Sequence, residues 1–67
     1  MDKVTLKIKT LNLIDRYPQY AEDFMDYYQL AMDEIEEGGS EDHECEMAFN
    51  SMQEILANNP YDNWSKI

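Results

Sequence analysis

The chain has 67 residues, with 15 Asp and Glu against 5 Lys and Arg, for a formal net charge of −10. A chain of this length makes one domain near the lower limit for folding unaided, burying only roughly 60% of its unfolded surface. Its single cysteine excludes an internal disulfide, and the sign of its charge argues against direct nucleic-acid binding.

Small domains without disulfide or metal staples commonly oligomerise, so a homodimer is expected. No apolar run approaches the roughly 18 residues that span a membrane. The amino terminus, Met1-Asp2-Lys3-Val4, lacks the basic and apolar blocks of a signal peptide. The expected setting is therefore a reducing cytoplasm.

Residues 3–16 carry two patterns. Val4, Leu6 and Ile8 alternate with Thr5, Lys7 and Lys9, as in a strand. On a helical wheel, Val4, Ile8 and Leu11 form an apolar stripe and Thr5, Lys9, Asn12 and Arg16 a polar one, with Leu6, Leu13 and Tyr17 as a second apolar patch. A lone strand needs a partner that nothing else in the chain supplies. The segment is read as a helix, the alternative being a strand paired across a dimer.

Residues 18–37 are read as a second helix. Ala21, Phe24, Tyr28, Ala31 and Ile35 are spaced +3, +4, +3, +4, along one face, with Tyr20, Met25, Tyr27 and Met32 widening it. Pro18 suits a first turn, where its missing N–H would have been unpaired anyway. Gly38 and Gly39 stop the helix, because glycine enters the left-handed region without steric cost.

A third helix follows at 40–58. Ser40 is its expected N-cap, with Glu41, Asp42 and Glu44 in the positively polarised first turn. Cys45, Phe49, Met52 and Leu56 repeat at +4, +3, +4, and Asn58-Asn59-Pro60 ends the run. So short a connection makes the two helices antiparallel neighbours. The expected fold is all-α, a small three-helix bundle built on this hairpin, with Trp64 of the tail folding back onto the core.

Charge is laid out unevenly. Residues 1–16 hold Lys3, Lys7, Lys9 and Arg16 against Asp2 and Asp15, whereas residues 17–59 hold twelve acids and neither lysine nor arginine. Like charges at i,i+4, such as Glu22–Asp26 and Asp33–Glu37, each destabilise a helix by about 0.2–0.5 kcal/mol. Glu34, Glu36 and Glu37 crowd a helix C-terminus, where the macrodipole favours cations. A surface serving stability alone would intersperse lysines. Repulsion of this kind also predicts a melting temperature that rises with salt, and one that rises as pH falls if the carboxyl pKa values are raised.

Sites for chemistry are few. Asp33, Gly38 and Glu44 fall at positions one, six and twelve of a calcium-binding EF-hand loop, but position three is Ile35, which offers no oxygen. A weak calcium-binding hairpin is thus a minor alternative. On a helix, His43 and Cys45 point about 200° apart, so they share neither a metal nor a catalytic pair. No cofactor is implied, and the abundant carboxylates lack the cleft that acid–base catalysis needs. A non-enzymatic role is expected.

Two expectations remain. In the first, an acidic face of Glu22, Asp23, Asp26, Asp33, Glu34, Glu36, Glu37, Glu41, Asp42 and Glu44 docks on the basic surface of a nucleic-acid-binding protein. It would act as an inhibitor or nucleic-acid mimic, by analogy with small phage-encoded regulators. Twelve carboxylates along a hairpin about 27–30 Å long give roughly one charge per 2.3–2.5 Å, against one per ~1.7 Å of duplex DNA. In the second, the chain is an assembly module whose apolar contacts are Leu6, Leu13, Tyr17, Tyr20, Tyr27 and Trp64. The four basic residues of the first segment, Lys3, Lys7, Lys9 and Arg16, are expected to offset the chain's own acids, within or between subunits.

Overall fold

The computed structural model describes residues 1–58. The readings for Pro60 and Trp64 lie outside these residues. Three α-helices, α1 (Lys3–Arg16), α2 (Ala21–Glu36) and α3 (Glu41–Asn58), account for the described chain together with a 3-10 turn at Pro18–Tyr20.

Asp2 caps α1 in extended backbone, its carboxylate accepting the Thr5 N–H at 2.7 Å. This satisfies one of the donors a helix start leaves open. The segment is a helix and not a strand. It ends where Tyr17 leaves helical geometry (φ −132°) ahead of Pro18, as the residue before a proline is pushed to do. Pro18 opens the 3-10 turn, and α2 begins only at Ala21, three residues later than the proline signal suggests.

The turn between α2 and α3 is a Schellman closure. Gly38 takes φ +107°, its N–H donates to Ile35 O at 3.1 Å, and the Gly39 N–H donates to Glu34 O at 2.8 Å. Both bonds satisfy carbonyls that a helix end would leave open. A Cβ on Gly39 would stand 2.7 Å from that same Glu34 oxygen, so neither position accommodates a side chain easily. Ser40 caps α3, its Oγ accepting the His43 N–H at 3.4 Å and its carbonyl the Glu44 N–H at 2.9 Å.

The α2 and α3 helices share the most extensive contact, and α1 packs across both, more on α2. Leu6, Phe24, Ala31, Cys45, Ala48 and Met52 make the core, with Leu6, Phe24, Cys45 and Met52 fully buried. Full burial of a Leu, Phe or Met side chain is worth about 1.5–3 kcal/mol each. The small residues Ala31 and Ala48 border one furrow between α2 and α3.

The inward face of α1 differs from the leading stripe of its sequence. Leu6 and Thr10 are buried and Leu13 and Tyr17 half-buried, whereas Val4, Ile8 and Leu11 stand 66%, 55% and 52% exposed. Thr10 makes this orientation possible. Its hydroxyl donates to Leu6 O at 2.7 Å and lies 3.7 Å from Met52 Sδ, so a polar side chain is buried with its donor satisfied. Met25 is likewise exposed and does not widen the buried face of α2.

Candidate acidic docking surface

Helical spacing sets Glu22, Asp26, Asp33 and Glu37 about 160–220° around α2 from Phe24, on the side facing away from the core. All four are exposed, as are Asp23, Glu34 and Glu36. On α3, Asp42 is exposed, while Glu41 and Glu44 are half-buried. The hairpin therefore carries carboxylates on both helices, and Glu34 and Glu44 border the same furrow from opposite sides.

Three of the ten acids named from the sequence are engaged within the chain. Asp42 pairs with the Met1 amino group, the one ion pair among the described residues. Glu41 accepts the Lys3 backbone N–H at 2.8 Å, and Asp33 accepts Gln29 Nε2 at 3.0 Å. Glu41 and Asp42 thus dock the start of α1 onto the start of α3, a structural role that charge pattern alone did not reveal. The hydrogen bond from the Met1 amino group holds the Asp42 carboxyl below its usual range, and the same contact raises the amine. Capping likewise lowers Asp2, chiefly through its bonds to Thr5. The side chains of Glu22, Asp23, Asp26, Glu34, Glu36, Glu37 and Glu44 make no hydrogen bond or ion pair with the described residues.

Within the described chain the basic side chains do not pair with these acids. Among the described residues no lysine or arginine side chain forms a salt bridge, and Lys9 instead lies over the Phe49 ring, 4.9 Å from its centroid. That placement is a cation–π contact.

The predicted apolar contacts fare unevenly. Leu6 belongs wholly to the chain's own core and offers nothing to a second molecule. Leu13, Tyr17, Tyr20 and Tyr27 are half-buried and packed against that core. Tyr17 and Tyr20 have ring centroids 6.5 Å apart, and Tyr20 meets Phe24 edge-on at 6.1 Å. Trp64 lies outside the described residues. The large apolar side chains that do reach the surface are Val4, Ile8, Leu11, Met25, Leu30 and Met47. Leu30 and Met47 border the furrow with Tyr27, between Glu34 and Glu44. Leu30 sits about 120° from Phe24 on the wheel, a signal available in the spacing but masked by the density of apolar residues around it.

The remaining chemistry resolves by position. Asp33 to Glu36 are the last residues of α2, so they are helix and not the opening of a twelve-residue calcium loop. Cys45 is fully buried and burial raises its thiol pKa, whereas His43 is exposed. No group of three or more His, Cys, Asp or Glu able to hold a metal ion occurs among the described residues. No helix among them is long and apolar enough to cross a membrane. Compared with protein-family models, with curated proteins and with solved structures, the chain matches none.

Proposed function

We propose that the protein is a non-catalytic binding module whose α2–α3 hairpin docks on a basic surface of a partner protein, one that otherwise holds nucleic acid. The observation that carries this reading is the run of outward carboxylates on α2, exposed and without a cation among the described residues to neutralise them. Such a surface raises the encounter rate with a cationic patch and is completed by it. Its linear charge density is of the order of that of a nucleic-acid backbone, so the two would compete for one groove. The output would be inhibition of a DNA- or RNA-handling protein, in the manner of a decoy.

The test is affinity capture from a lysate cleared of nucleic acid, using the native chain beside a quadruple variant, Glu22→Gln, Asp26→Asn, Asp33→Asn and Glu37→Gln. These side chains are exposed, so the substitutions leave the core intact. A basic protein should be retained by the native chain, released by duplex DNA or by raised salt, and lost by the variant. Retention by both chains, or indifference to salt, refutes the reading.

A further inference from the structure

We infer that the outward face of α1 is the contact between two copies of this chain, packed antiparallel through Val4, Ile8 and Leu11. These three residues recur at +4 and +3, so they stand in one row on the helix, and each is more than half exposed. The row lies opposite the buried Leu6, so no element of the described chain covers it. Beside it Met25 of α2, 45% exposed, continues the apolar surface across a shallow furrow that Leu11, Lys7 and Tyr28 also border. A contiguous apolar patch of this kind on a small domain marks a place where another molecule sits.

Charge decides which molecule that is. The α1 segment is the one part of the described chain where bases outnumber acids, Lys3, Lys7, Lys9 and Arg16 against Asp2 and Asp15. Two copies with a net charge of −10 each repel through their hairpins, so the approach of least repulsion is α1 to α1. The row is also self-complementary. Asp15 extends it by one further step of four from Leu11. In an antiparallel pairing with Ile8 opposite Leu11, Asp15 of one copy falls opposite Val4 of the other, within reach of Lys3 and Lys7. A two-fold axis makes each of these contacts twice, as a closed dimer requires. The outward acids of α2 in both copies then stay exposed for the partner proposed above, doubling the charged array.

The inference is tested by sedimentation equilibrium over a concentration series, with circular dichroism as the check on folding. The native chain should form dimers. Ile8→Glu, at a position that is 55% exposed and so free to change without unfolding the monomer, should keep its helical spectrum and weaken association at least about tenfold. Leu30→Glu, on the other apolar furrow, should leave the dimer unchanged. Asp15→Lys should weaken the dimer, and adding Lys3→Glu and Lys7→Glu should restore it. A native chain that is monomeric throughout overturns the inference, as does a dimer that survives Ile8→Glu or one that dissociates on Leu30→Glu alone. Capture of a basic partner by the Ile8→Glu monomer keeps the outcome for the acidic face separate from this one.

Discussion

Replacing Leu6 or Ile8 by alanine asks which face of α1 enters the core. The two side chains are close in size and two positions apart, yet Leu6 is wholly buried and Ile8 is 55% exposed. Leu6→Ala removes three carbons, worth roughly 2.4 kcal/mol at about 0.8 kcal/mol each. The cavity left between α1, Phe24 and Met52 brings the expected loss to about 2–5 kcal/mol. A domain of 67 residues has about 3–10 kcal/mol of stability in all, at 0.05–0.15 kcal/mol per residue. The variant should therefore melt at least about 8–16 °C lower, at 4–8 °C per kcal/mol, or fail to fold. Ile8→Ala should change stability by no more than about 0.5 kcal/mol. Urea titration followed by circular dichroism measures both, at low protein concentration so that association through the same face does not enter. A costly Ile8→Ala beside a harmless Leu6→Ala would mean that α1 is turned by half a rotation, and both the core and the dimer face would have to be reassigned.

Gly38→Ala should cost about 1–2 kcal/mol, because the residue sits at φ +107°. Gly39→Ala should cost a similar amount, by pushing its Cβ against Glu34 O and loosening the Schellman bond, and both losses are read from thermal melts. Added salt should raise the melting temperature in calorimetry, because the outward carboxylates repel one another and screening relieves this. A flat response would mean that they are already neutralised. At Asp2 and Asp42 the pH response should run opposite to the one drawn from repulsion. Asp2 and Asp42 both have folded pKa values below 3.8, so they stabilise the fold above that pH, and their contribution is lost as pH falls through the folded values. The Met1 amine, raised from 8.0, adds a contribution that is complete below 8.0 and lost as pH rises through its folded value. Asp42→Asn should remove the alkaline loss and that part of the acid loss due to this pair, a difference visible in a melting-temperature profile across pH. Thiol labelling of Cys45 should be slow in the native chain and fast in denaturant, since the group is buried and its pKa raised.

Local signals sufficed wherever they were strong and short in range. The helix stop at Gly38-Gly39, the cap at Ser40 and the core positions Phe24, Ala31, Cys45 and Met52 follow from glycine's conformational freedom, one hydroxyl and a repeat of three and four. That residues 17–59 hold twelve acids and neither lysine nor arginine requires only counting. Start signals were weaker. Pro18 fits a 3-10 turn as well as an α-helical one, so it located the element without fixing its first residue.

What the tertiary structure decided was orientation. α1 has two apolar rows, and nothing within α1 says which will meet the α2–α3 hairpin. The choice depends on the groove, where Met52 of α3 meets a Thr10 hydroxyl whose proton the Leu6 carbonyl of α1 already accepts, so that a polar residue can enter the core. The engagement of Glu41 and Asp42 by the start of α1 is likewise set by where distant segments meet, 38 and 41 positions apart. Periodicity records which residues share a face of one helix. Which face is buried depends on the shape of the surface that the neighbouring helices present, and that surface exists only once the chain has folded.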